Sequence, residues 1–86
     1  MKVIKQDLGR GESIYSVWSR DTDFPLVVVK VFEEKPAIDA AAYPQMTVYD
    51  AAEYAQALMI SIQIVDDLNN GRQVNADQAE PPKVAQ

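Results

Sequence analysis

The chain has 86 residues, 48% of them hydrophobic, with 13 Asp and Glu against 8 Lys and Arg. It contains no cysteine and no histidine, which removes disulfides, thiolate metal sites, and the commonest general base and transition-metal ligand. A net charge of −5 suits a nucleic-acid backbone poorly, since that surface selects clustered Lys and Arg, so direct nucleic-acid binding is not expected.

Residues 1–6 form a short first segment in which Val3 and Ile4 are the internal apolar residues, and a first strand is predicted there. Gly9-Arg10-Gly11 is a turn signal, because both glycines tolerate positive φ. Residues 12–20, ESIYSVWSR, alternate: Ile14, Ser16 and Trp18 point one way, Tyr15 and Val17 the other, which predicts a second strand. Asp21-Thr22-Asp23 reads as a polar turn. Residues 26–32, LVVVKVF, are the strongest strand of the chain. Both of its faces are mainly apolar, as in a central strand or one whose second face meets another subunit.

Residues 33–45 are a connector punctuated by Pro36 and Pro44, in which residues 37–42 can form one or two helical turns behind Pro36. Thr47 then opens a long helix, with Asp50 three residues later as in a capping box. No Gly or Pro interrupts residues 48–69, and Asn69-Asn70-Gly71 is a stop signal. Such a helix spans about 33 Å. Residues 72–86, RQVNADQAEPPKVAQ, carry too little apolar surface to offset their ordering entropy and are expected to be a disordered tail. The predicted fold is therefore α+β. One domain over residues 1–71 holds a three-stranded antiparallel meander, followed by one long C-terminal helix packed on the sheet. A core this small gains from a partner subunit.

Counting about 100° per residue from Leu58, residues Ala51, Tyr54, Ala55, Ser61, Ile62 and Val65 fall within about 60° of it and form the predicted sheet-facing side. Tyr49, Glu53, Gln56, Gln63 and Asp67 lie opposite, toward solvent. Ala57, Ile60 and Ile64 make a second apolar strip on one flank, about 100–160° from Leu58. They are the candidate self-association residues and predict a homodimer; cover by the Ala-rich connector is the intramolecular alternative.

Motifs for chemistry are sparse. Asp66 and Asp67 are adjacent on the helix and so do not face each other, and Glu53 is more than three turns away, which argues against a metal site. Asp21-Thr22-Asp23 lacks the Gly and the distal Glu of a calcium loop. No phosphate-binding fingerprint follows Gly9-Arg10-Gly11. Ser13, Ser16, Ser19 and Ser61 have no histidine, and nothing in the sequence brings Lys30 to any of them. Neither enzyme activity nor a cofactor is expected. Among the aromatic residues, Tyr15, Trp18 and Tyr49 are the candidate partner contacts, because such side chains are enriched at interface hot spots; the alternative for Trp18 is a core position under the helix.

The longest uncharged run, residues 54–65, falls short of the ~20 apolar residues that span a bilayer. The N-terminus carries no apolar signal core, and the expected location is the cytoplasm.

The stretch TVYDAAEYAQALMISIQIVDDLNNG, residues 47–71, resembles the closing helix of small uncharacterised phage and prophage proteins. There a Thr or Ser cap, an acidic residue and an Ala pair open a helix that follows a β-hairpin. The resemblance implies a β-β-α type domain of mobile-element origin with no known activity. The functional expectation is a non-enzymatic protein-binding or accessory module that self-associates through its long helix. The alternatives are a structural or assembly subunit whose main partner is itself, and an acidic inhibitor that mimics nucleic acid.

Overall fold

A computed structural model describes residues 1–19, 24–40 and 44–79. Strands β1 (Lys2–Gly9), β2 (Glu12–Trp18), β3 (Val27–Phe32) and β4 (Lys35–Ala40) precede helix α1 (Val48–Asn69), and β5 (Asp77–Gln78) follows it. The sheet order is β4-β3-β2-β1-β5. β1 to β4 are an antiparallel meander, and β5 runs parallel to β1. The α+β class and the three predicted strands are present, in a sheet that is larger than expected and mixed. The Asp21-Thr22-Asp23 turn lies outside the described residues, as do Arg20, residues 41–43 and residues 80–86.

Two hairpin turns set the register, and both require positive φ at their two central residues. Arg10 and Gly11 take φ 57° and 75° between β1 and β2, next to a register shift between Asp7 and Gly9. Between β3 and β4 the pair is Glu33-Glu34, at φ 53° and 63°. A non-glycine residue in that region costs roughly 1–2 kcal/mol. The Glu-Glu turn therefore opposes the hairpin locally, and the pairing of β3 with β4 from Phe32↔Lys35 to Val27↔Ala40 must offset it. Helical turns were expected over residues 37–42; residues 37–40 belong to strand β4 instead, and residues 41 and 42 lie outside the described residues. Alanine at 37 and 40 is compatible with an edge strand, and Pro36 is tolerated there because an edge position needs no outward N–H.

α1 begins and ends where its caps dictate. Thr47 is extended, and its Oγ1 accepts from the Asp50 N–H at 3.1 Å. At the other end Gly71 takes φ 67°, the Arg72 N–H donates to the Asp67 carbonyl at 2.8 Å, and the Gly71 N–H donates to that of Leu68 at 3.3 Å. These two bonds are the paired closure of a Schellman motif.

The helix lies on one face of the sheet with Ala57, Ser61 and Ile64 against it. Ala57 is 0% and Ile64 3% exposed, and they pack in one cluster with Tyr15, Val17, Val27 and Val29. This corrects the rotation inferred from the sequence by about 90°. The strip of Ala57, Ile60 and Ile64, expected to point outward for self-association, is the sheet-facing side; Ile60 is half-buried beside the cluster. Of the residues expected to face the sheet, Ser61 does so, Tyr54, Leu58 and Val65 are half-buried at its margins, and Ala51, Ala55 and Ile62 are exposed. Ala57 and Ser61 are small, so the helix approaches the valines closely. The enclosed Ser61 hydroxyl is satisfied by donating to the Ala57 carbonyl at 2.8 Å. Ser19, at the end of β2, donates to Glu53 Oε2 at 2.6 Å and ties the helix to the sheet in this rotation.

Residues 72–79 are not a loose tail. Arg72 pairs with Asp66 and, through Nε at 2.9 Å, with Asp67. Val74 and Ala76 then pack against the core, and β5 joins β1, with the Ala79 N–H donating to the Lys5 carbonyl at 2.8 Å. The helix touches β2, β3 and β4, so the β1 side of the core is left for this segment to cover. The Arg72 hydrogen bond, followed by that of Gln63, holds the Asp67 carboxyl below its ordinary pKa. Because the folded pKa is the lower one, this contribution is complete above the unfolded carboxylate value and is lost as pH falls through the folded value.

Two sets of variants test this packing. Ile64→Ala should cost about 2–5 kcal/mol as a core truncation, whereas Ile62→Ala should stay within about 0.5 kcal/mol as a surface change; urea midpoints showing the opposite order would restore the rotation inferred from the sequence. Ending the chain after Gly71 removes the cover supplied by Val74 and Ala76. It should lower stability on the order of 2 kcal/mol, and an unchanged thermal midpoint would mean that this segment does not dock.

Candidate binding surfaces

Strand register assigns every sheet residue to a face. Val3, Tyr15, Val17, Val27, Val29 and Val31 share the side under the helix, since partners across a ladder point the same way. The other side carries Ile4, Ile14, Ser16, Trp18, Val28, Lys30 and Phe32. No described element covers that side. An antiparallel sheet with one wet face ordinarily alternates apolar-in with polar-out, but here the outward positions of β2 and β3 are mostly apolar. Phe32 is exposed, and Ile4, Ile14, Trp18 and Val28 are half-buried by their own neighbours.

The charge on this open face is nearly balanced. Lys2, Lys30 and Lys35 stand against Glu12, Asp39 and Asp77 in the same register, and Lys30 is bridged to Asp39 at 2.8 Å. The acidic excess of the chain therefore lies elsewhere. At one end of the face an open groove is lined by Met1, Lys2, Ile4, Trp18 and Ser19. The indole N–H of Trp18 is enclosed and has no hydrogen-bond partner, an arrangement that costs about 1–3 kcal/mol.

The three candidate partner contacts do not converge. Trp18 lies on the open face, Tyr15 is buried on the helix side, and Tyr49 is exposed in the first turn of α1. Tyr15 is a core residue whose ring sits 5.7 Å from the Lys5 ammonium. Burial works against that ammonium, but Tyr15 and Asp7 outweigh it and raise the Lys5 pKa. Ile4, Val28 and Phe32 complete the open face, and the two-sided apolar pattern of residues 26–32 was the signal for it.

Among the described residues no three carboxylates gather as metal ligands. Ser16 is the serine that shares a face with Lys30, whose ammonium is engaged by Asp39. A small cleft between Phe24, Leu26, Met46, Asp50 and Tyr54 encloses about 190 Å³, less than the ~300 Å³ at the lower end of ligand pockets. Among the described residues no helix is long and apolar enough to cross a membrane.

The face assignment has a direct test. Val28→Lys, on the open side, should leave the fold intact with stability changed by less than about 1 kcal/mol. Val29→Lys, one residue on, should unfold the chain by burying an unpaired charge. Circular dichroism of the two variants separates the faces; equal loss of structure in both would mean that Val28 is covered.

No protein-family model matches the chain, and no curated protein or solved structure shows significant similarity to it.

Proposed function

We propose that the chain is a non-enzymatic binding module that holds another protein against the open face of its sheet and pairs with itself through its helix. The observation that supports the first part is the apolar outward side of β2 and β3, centred on Ile14, Trp18 and Val28. Burying one such side chain contributes roughly 1.5–3 kcal/mol, so a few of them give a partner a workable anchor. The near balance of charge on the face favours a partner surface that is itself apolar and uncharged. An acidic nucleic-acid mimic fits this face less well, because the acids do not gather on it. A mobile-element origin is carried by residues 47–71 alone.

Capture from a native lysate tests the reading. Wild type and Val28→Lys are used as parallel baits, with Ile62→Glu as a control on the helix. A stoichiometric protein held by wild type and by Ile62→Glu, and lost with Val28→Lys, is the expected result. A partner indifferent to Val28→Lys would move the binding site off the sheet, and the absence of any stoichiometric partner would count against the module reading itself.

A further inference from the structure

With Ala57, Ser61 and Ile64 on the sheet, the opposite side of α1 becomes legible. Val48, Ala52, Ala55, Met59 and Ile62 recur at spacings of four and three, which is the seam of a paired helix. Their mean direction lies about 170° around the helix from the buried residues. Val48 is 83%, Met59 71% and Ile62 59% exposed, and Ala52 and Ala55 are exposed between them. The charged residues of the helix are Asp50, Glu53, Asp66 and Asp67. On the outward half the first charge is Asp66, four residues beyond Ile62; between Val48 and Ile62 there is none, and Gln56 and Gln63 form the polar margin. Outward helix surfaces in an acidic chain ordinarily carry charge, and a bare seam about 21 Å long is a departure from that rule.

We infer that this seam is an isologous interface, in which α1 lies antiparallel to α1 of a second copy about a two-fold axis at Ala55. The inference rests on the self-association proposed above and specifies its surface. Two features select a second copy as the occupant. The first is charge: a chain of net charge −5 repels its own copy, and the seam is where two copies can meet without bringing carboxylates together. The second is size complementarity under reversal. With Ala55 on the axis, Val48 is level with the partner's Ile62, Met59 with the partner's Ala51 and close to the partner's Ala52, and Ala55 with the partner's Ala55. Small residues face each other at the axis, Met59 faces alanine on either side of it, and large residues meet at the two ends, where the helices are free to diverge. The seam covers a few hundred Å², short of the ~800 Å² per partner of a standard interface, so the pair is a concentration-dependent dimer that dissociates on dilution.

Sedimentation equilibrium and single-cysteine cross-linking test it together, the second made clean by the absence of native cysteine. Wild type should rise from 9.6 kDa toward twice that mass as concentration increases through the micromolar range. Met59→Glu places two carboxylates on the seam and should weaken association by more than about tenfold, with the circular dichroism of the folded chain unchanged. Ala55→Cys should oxidise to a covalent dimer, because Cα atoms on the axis come within the ~7 Å a disulfide spans. Ile62→Cys should not, its two copies lying about 21 Å apart along the antiparallel pair. A wild type that stays at the mass of one chain up to high micromolar concentration overturns the seam and self-association together, and leaves the sheet-face reading standing. A dimer unaffected by Met59→Glu overturns the seam while self-association survives on another surface. Cross-linking of Ile62→Cys as readily as Ala55→Cys overturns the antiparallel arrangement.

Discussion

The seating of α1 through Ala57, Ser61 and Ile64 decides which surfaces this chain presents. Two of the three are small, so the helix backbone comes close to Val17, Val27 and Val29, and all three valines are sealed from water. A larger residue at 57 or 61 would lift the helix and open the core, at a typical cost of about 1–3 kcal/mol for overpacking. The Ser19–Glu53 hydrogen bond fixes the same rotation from the N-terminal half. Once that rotation is set, Val48, Met59 and Ile62 have no place inside. The single helix is also committed to one side of the sheet, and β2 and β3 keep an apolar side outward.

Hydrogen bonding follows the same division. On the helix side the accounts close: Thr47 caps the first turn, the Schellman bonds close the last, and Ser61 and Ser19 have partners inside the fold. Among the described residues one enclosed side-chain donor is left over, the Trp18 N–H, and Trp18 belongs to the open face. Buried polar groups are satisfied in most native interiors. The orphan lies on the side of the sheet that no described element covers, not under the helix.

The helix boundaries were legible from residues with local mechanisms: Thr47 and Asp50 at the start, Gly71 at the end. Strands β2 and β3 were legible from alternation and β-branching, and the two-sided character of residues 26–32 pointed to a second surface. The rotation of the helix was not legible, because α1 is apolar on two sides. Periodicity placed the centre of the face at Leu58, which left Ser61 at its margin and Ala57, Ile60 and Ile64 on the flank, although a close approach to the sheet selects Ala57 and Ser61. Strand β4 was hidden by a Glu-Glu turn where Asn-Gly would have announced a hairpin, and by alanines that suit a helix as well. Residues 72–79 looked too polar to order. Their docking depends on two side chains, Val74 and Ala76, a two-residue parallel ladder and the Arg72 clasp, and no composition rule detects contacts so few.

The two open surfaces lie on opposite sides of the chain, and that relation bears on how they would work together. If α1 pairs with its copy, the layers run sheet, helix, helix, sheet, and both open sheet faces point outward, roughly 30 Å apart at about 10 Å per layer. Self-association and partner binding then do not compete for surface, and a pair presents two equivalent faces. A partner with two matching segments, or a partner that is itself repeated, would bind such a pair with an effective local concentration for the second contact. The helix seam is too small to hold the pair at low concentration by itself. Bivalent engagement would therefore stabilise the pair as much as the pair strengthens the engagement, because the coupling between the two events is reciprocal.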